Sequence, residues 1–221
     1  MNTLAIDCSS SVMSVSLEKD NSLFESSIQD GFKNSENLMP LIDSILKTAH
    51  IKPSELDLIA VASGPGSFTG LRIAMSTAKG IALGTGADLV SVSTLDAYGK
   101  RYDFFEGIII PVIDARKKRV YCSLFENGIK VKENLDISAE NLIKLTIEYK
   151  KILFTGPDCD LFTIFAEKDN RIYIDRAFTT TSSTDVLRIG KENYIKNGSD
   201  PSGIGPLYIR KSEAEISLFG E

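Results

Sequence analysis

The 221-residue chain has one histidine, three scattered cysteines and no excess of positive charge, and each shortage closes a class of function. A zinc or iron centre needs several nitrogen, sulfur or oxygen ligands converging on one point. His50 alone cannot supply them, and no other histidine exists to activate Ser67, Cys8 or any other nucleophile. It follows a helical stretch and precedes Ile51-Lys52-Pro53, a position where it can interact with the last carbonyls of that helix. Cys8, Cys122 and Cys159 are odd in number and far apart, so they form neither a disulfide framework nor a C-x-x-C metal site. All three read as small buried or partly buried residues. With 25 Lys and Arg against 30 Asp and Glu, the net charge of −5 lacks the basic footprint of an autonomous nucleic-acid binder. Arg116-Lys117-Lys118-Arg119 is the one basic cluster, at a strand-to-strand turn, where it is either a solvated hairpin tip or a phosphate-contacting patch. No apolar run approaches the ~18 residues that would span a bilayer. Met1 to Asp7 carries no basic region and no long apolar region, so no signal peptide is expected. A cytoplasmic protein with no membrane partner follows by elimination.

What is present begins with Ser63-Gly64-Pro65-Gly66-Ser67-Phe68-Thr69-Gly70-Leu71-Arg72, which follows the apolar run Leu58 to Ala62 and opens a helix expected over 71–83. A strand, a glycine loop and a helix in that order aim backbone N–H groups at whatever sits above them, a candidate anion seat. The loop lacks the Gly-Lys-Ser/Thr ending of a Walker loop and misses the dinucleotide spacing by one residue. Tight turning and close helix–sheet packing explain the same glycines. Behind the loop, Gly70, Ala74, Ala78, Ala82 and Gly86 recur at every fourth position, and Ser76, Gly80 and Gly84 form a second such row. Residues four apart share a helix face. This helix therefore presents stripes almost free of side chain, which lets another backbone come close.

The chain also repeats itself. Leu4-Ala5-Ile6 ends at Asp7, and strands follow near Met13 to Leu17 and Leu23 to Ile28. An amphipathic helix over 35–49 then carries Leu38, Leu41, Ile42, Ile45 and Leu46 on one face, with Pro40 inside it. The strand 58–62, the loop and its helix, a strand over 89–91 and a short helix from Thr94 complete the half. In the second half Ile108 to Ile113 ends at Asp114, Val120 to Phe125 is a strand, and Glu126-Asn127-Gly128 is a hairpin turn. Ser138 caps a helix, Lys151 to Thr155 is a strand, and Gly156-Pro157 echoes Gly64-Pro65. A helix near 161–165, a strand over 171–174 and a helix over 184–196 close it. Both halves read βββαβαβα, dividing the chain into subdomains 1–103 and 104–221, with 213–221 a possible tail.

A duplicated α/β unit of this order resembles the actin-like, sugar kinase and Hsp70 superfamily, the ASKHA fold. The resemblance implies a ligand cleft between the halves and a nucleotide-binding set of Asp7, Ser9, Ser10 and Asp114. Nucleotide-using members have Asp-x-Gly at the first hairpin of each half. Here the turns are Asp7-Cys8-Ser9-Ser10 and Asp114-Ala115-Arg116-Lys117, which keep the acid and lose the glycine. The two aspartates could hold a hydrated magnesium ion or simply cap the turns that follow them.

With the repeat and glycine loop together, the whole chain resembles the TsaB family, also called YeaZ. The blocks that carry this are Ile6-Asp7, Ser35-Glu36-Asn37-Leu38-Met39-Pro40-Leu41-Ile42, the loop 63–73, Val92-Ser93-Thr94-Leu95, Asp114-Ala115-Arg116 with Val120-Tyr121, and Pro206-Leu207-Tyr208-Ile209-Arg210. Asn34 departs from the histidine that many relatives carry before the Ser-Glu pair. The resemblance implies a non-catalytic dimerisation subunit of the complex that puts threonylcarbamoyl on the adenosine beside the anticodon of certain tRNAs. It implies a TsaD-type catalytic partner, a TsaE-type ATPase in the same complex, a homodimer when alone, and tRNA reached only through the complex. No cofactor of its own is expected, though a nucleotide at the partner interface is compatible. The metal-binding histidine pair of the TsaD-type relative is replaced by Ser93 and Thr94. Within this expectation Leu38, Leu41, Ile42 and Ile45 are apolar anchors for the partner, and Gly70, Ala74 and Ala78 give the close approach. The same residues could instead cover the chain's own sheet. The alternative function is a small-molecule kinase or ATPase of the actin-like fold.

Overall fold

The computed structural model describes residues 1–29, 34–176 and 183–210, so the expected tail lies outside the described residues. The first half runs β1 (Thr3–Asp7), β2 (Met13–Lys19), β3 (Ser22–Ile28), α1 (Asn34–Thr48), β4 (Leu58–Gly64), α2 (Phe68–Thr85), β5 (Asp88–Ser93) and α3 (Thr94–Gly99). The second runs β6 (Ile108–Asp114), β7 (Arg119–Glu126), β8 (Ile129–Ser138), α4 (Ala139–Leu145), β9 (Ile152–Thr155), α5 (Thr163–Ala166), β10 (Ile172–Ile174) and α6 (Ser183–Asn197). One sheet has the order β3-β2-β1-β4-β5; the other, read from its far edge, has the matching order β8-β7-β6-β9-β10. In each, the first strand is antiparallel to the second and parallel to the fourth. The βββαβαβα duplication is thus the architecture. Gly64, which ends β4, and Gly156, which follows β9, both adopt positive φ, at 111° and 95°.

Local chemistry sets the element ends. Asn127 and Gly128 take φ of 52° and 73°, as a two-residue hairpin with right-handed twist requires. Ser67 and Ser138 cap α2 and α4, accepting from the amides of Gly70 and Asn141. Because Ser67 is the cap, α2 starts at Phe68, three residues before the expected Leu71. Helix α1 ends on His50, which is left-handed at φ 51°. Its amide donates to Lys47 O and the Ile51 amide to Leu46 O, the paired bonds of a Schellman ending.

Alternation along the strands sorts two cores. Leu4, Ile6, Ile59 and Val61 face α1 and α2. Ala5, Ala60, Ala62, Val90 and Val92 face Val186, Leu187 and Ile189 of α6. The helix expected to close the second half therefore packs on the first sheet. Small residues make that possible: a Cβ on Gly190 would lie 2.6 Å from the Ala60 Cβ. Helix α3 in turn reaches the second sheet, where Leu95 and Tyr98 bury against Ile113 and Tyr121. The inner faces of both sheets need an apolar cover, and each half supplies one to the other.

Candidate functional site

The glycine loop and the first hairpin turn close directly on each other. The Ser67 amide donates to Ser9 O at 2.7 Å, and the Gly70 and Leu71 amides go to the side chain and carbonyl of Ser67. A Cβ on Gly66 would stand 2.4 Å from Ser9 O, and one on Gly70 would stand 2.0 Å from Cys8 O. Glycine is required at Gly70 because another backbone occupies the space of a side chain. Close packing on this turn accounts for the glycines at 66 and 70.

Asp7 and Asp114 have the capping geometry. Asp7, 1% exposed, accepts the Ser9 amide at 2.8 Å, and Asp114 accepts the Arg116 amide at 2.7 Å. Each carboxylate thus holds the turn two residues ahead. The Ser10 hydroxyl bonds both the amide and the carbonyl of Val12, while the buried Ser9 hydroxyl has no hydrogen-bond partner among the described residues. The second turn is basic and strained: Arg116, Lys117 and Lys118 stand consecutively at φ 62°, 54° and 60°. Among the described residues no group of three or more His, Cys, Asp or Glu could hold a metal ion. Ser93 caps no amide with its side chain, and Thr94 is buried at the start of α3.

The residues expected to bind a partner face inward. Leu38, Leu41, Ile42 and Ile45 are at most 7% exposed and form one core with Ala74 and Ala78. Gly70 is buried against the Cys8 carbonyl. The first small-residue row exists so that α2 can lie close to its own sheet and hairpin, and these seven side chains are not available to another protein. The second row is the outward one. Ser76, Gly80 and Gly84 are exposed, and a Cβ on Gly80 or Gly84 would meet nothing within 4 Å. Leu83 stands beside them 90% exposed. Met39, 52% exposed, is the large apolar side chain on the outer face of α1.

A strap that sequence reading missed joins the halves. The Leu207 amide donates to Ser63 O at 2.7 Å. Tyr208 packs against Phe68 with ring centroids 5.4 Å apart and the rings tilted by 33°, and its hydroxyl accepts from Arg72 Nε at 3.0 Å. The Arg72 guanidinium lies 3.9 Å over the Phe68 ring. Ile209 joins the cluster of Leu95, Tyr98, Ile113 and Tyr121 between the sheets. Arg210 grips both oxygens of Asp136 at 2.8 and 3.0 Å and donates to Ala115 O at 3.0 Å. Arg119 shares the same carboxylate at 2.7 Å. Burial alone would raise the Asp136 carboxyl, but the hydrogen bonds and charges of the two arginines outweigh it and hold it below the usual carboxylate range. The Pro206 to Arg210 block was legible as a motif; its role was not.

Reactive groups are scarce elsewhere. Burial pushes the thiols of Cys122 and Cys159 up to about 12 and that of Cys8 further, so none is a ready nucleophile. A cavity of about 260 Å³ lies beside Gly156, Pro157, Cys159, Asp160, Asp175 and Arg176. Its Asp175 is pinned by Tyr102 and Thr155 hydroxyls at 2.8 and 2.7 Å. Among the described residues no helix is long and apolar enough to cross a membrane.

Two matching sheets of this order with exchanged cover helices define a two-subdomain protein of the actin-like ASKHA class. YeaZ from Pseudomonas aeruginosa has the same fold, with a TM-score of 0.77 at 21% identity over 94% of this chain and 99% of that one. The family model described as TsaD, tRNA N6-adenosine threonylcarbamoyltransferase, matches residues 33–217. The Bacillus subtilis tRNA threonylcarbamoyladenosine biosynthesis protein TsaB is 31% identical over 97% of this chain and 96% of its own length. The Escherichia coli protein of that name is 34% identical, with both chains covered in full. The chain belongs to the TsaB (YeaZ-like) family.

Proposed function

We propose that this chain works in tRNA threonylcarbamoyladenosine biosynthesis as a non-catalytic subunit that docks on a TsaD-type catalytic subunit and supports it. The names of the Bacillus subtilis and Escherichia coli relatives support the pathway. The outward face of α2 carries the docking reading: Leu83 is 90% exposed between Gly80 and Gly84, which have open space where side chains would be. A helix exposing a large apolar side chain among glycines offers close backbone approach and an anchor together. The inward residues Leu38, Leu41, Ile42, Ile45, Gly70, Ala74 and Ala78 act beneath it, fixing the helix pair to the first sheet. Chemistry then belongs to the partner. The one histidine ends a helix, the thiols are buried, and the two hairpin aspartates cap turns. Alone, the chain covers the same face by forming a homodimer, and a TsaE-type ATPase joins only the assembled complex.

Light scattering behind a sizing column tests this, with the chain alone and mixed with the TsaD-type subunit of the same cell. A homodimer that converts to a stable one-to-one complex is expected, and Leu83→Asp should abolish both species while the chain stays folded. Two proteins that ignore each other, or a Leu83→Asp chain that assembles as before, would refute the docking.

A further inference from the structure

Positive charge in this chain of net charge −5 is not spread evenly. Arg116, Lys117 and Lys118 form the exposed tip of the β6–β7 hairpin, with the Arg116 side chain 87% exposed. Arg119 and Arg210 stand at its base, and among the described residues Asp114, Asp136 and Asp158 are the carboxylates placed beside this group. All three tip residues hold the left-handed conformation, at φ 62°, 54° and 60°. Glycine or asparagine relaxes such positions, and long cations do not. Three consecutive strained residues on an exposed tip mark it as a candidate for function outside the fold.

The tip does not stand alone. Arg210 Nη1 donates to Ala115 O, next to Arg116, and Tyr208 is two residues up the strap, at most about 7 Å of extended chain away. There Phe68 and Tyr208, 49% and 41% exposed, pack with their rings tilted by 33°, and the Arg72 guanidinium lies over Phe68. Cationic side chains beside exposed aromatic faces recognise the phosphates and unpaired bases of single-stranded RNA. The cluster sits on the first turns of α2, about 16 Å along the helix axis from Leu83, so a partner on the far end leaves it room.

We propose that this edge is a direct RNA contact: the hairpin tip meets backbone phosphates, and the Phe68–Arg72–Tyr208 cluster stacks on an unpaired base of the same loop. The choice of tRNA as the RNA rests on the function proposed above.

The test is fluorescence anisotropy of an anticodon stem–loop RNA against the chain assembled with its TsaD-type subunit, over a salt series. Assembly is checked separately by light scattering. The variants are Arg116→Asn/Lys117→Asn/Lys118→Asn, which drops the charge at residues that tolerate positive φ, and Phe68→Ala. The triple variant should bind roughly tenfold or more weakly, with the slope of log K against log salt shallower by about two to three. Phe68→Ala should weaken loop binding without moving that slope. Wild-type affinity and slope in an intact triple-variant complex overturn the proposal. Should the two subunits not assemble, the docking fails, and the isolated chain at low salt decides this claim. Weaker RNA binding by the triple variant than by wild type then supports it, and equal or absent binding by both overturns it.

Discussion

Adding one methyl group to α2 should have opposite effects at Gly70 and at Gly80. Glycine inside a helix is worse than alanine by about 0.5–1 kcal/mol, so on propensity alone either substitution would stabilise. At Gly80 and Gly84 that is the whole effect, because a Cβ there meets nothing within 4 Å. At Gly70 the Cβ would lie 2.0 Å from the Cys8 carbonyl oxygen and 3.2 Å from Ser67 Oγ. The first neighbour is backbone held by the β1–β2 turn and cannot swing away. Overpacking of that kind costs about 1–3 kcal/mol, and the severity of this overlap places Gly70→Ala at the upper end. Net of propensity, a loss of about 2 kcal/mol remains, or ~4–8 °C in melting temperature for a chain of this size. Gly80→Ala and Gly84→Ala should each raise the melting temperature by ~1–4 °C. Thermal unfolding of the three variants at low protein concentration reads this directly. A Gly70→Ala chain as stable as wild type would refute the closed loop, and a destabilised Gly80→Ala would refute the open outer face. The outer pair should also weaken partner binding while strengthening the monomer, a combination that a purely structural role does not produce.

Leu41→Ala should cost about 2–5 kcal/mol in urea unfolding, as core truncations do, yet leave association of the folded protein intact. Loss of association at full stability would return Leu41 to the interface. The Asp136 carboxyl is held below its ordinary value, so its link to Arg210 and Arg119 stabilises the fold above about pH 4. That contribution disappears as pH falls through the lowered value, and Asp136→Asn should flatten the acid limb of stability against pH; an unchanged limb would exclude the strap as a stabilising link. All three thiols should resist a thiol reagent at pH 8 in the native protein and react in denaturant, since burial keeps the thiolate of Cys122 and Cys159 to about one part in 10⁴ at that pH. Rapid native labelling of any of them would contradict the burial.

Much of this molecule was legible because local rules repeat. The acid after the first strand of each half, Gly-Pro after the fourth, the Asn127-Gly128 turn and the Ser138 cap all report short-range geometry. The direction of α2 was not legible. Gly70, Ala74 and Ala78 and the row of Ser76, Gly80 and Gly84 are similar in size, and only the packing of α2 on the Cys8 turn and the first core decides which row lies inside. Hydrophobicity misled at α1 for a related reason: Leu38 to Ile45 make a coherent apolar face, and a sheet or a partner would satisfy it equally well. The exchange of α3 and α6 between halves escaped notice because chain order assigns each helix to the strands before it. The strap joins residues 74 apart through Arg210 and Asp136, a pairing no local pattern announces.

The division of labour between the two subunits is tested most directly by measuring tRNA threonylcarbamoylation in the reconstituted system with Asp7→Asn and Asp114→Asn chains, beside a Leu83→Asp chain. Assembly of each is verified by light scattering. The two aspartate variants, once folded and assembled, should sustain the wild-type rate, and Leu83→Asp should lose activity and assembly together. A fully assembled complex that loses its rate with Asp7→Asn or Asp114→Asn would contradict a non-catalytic subunit and place chemistry on this chain.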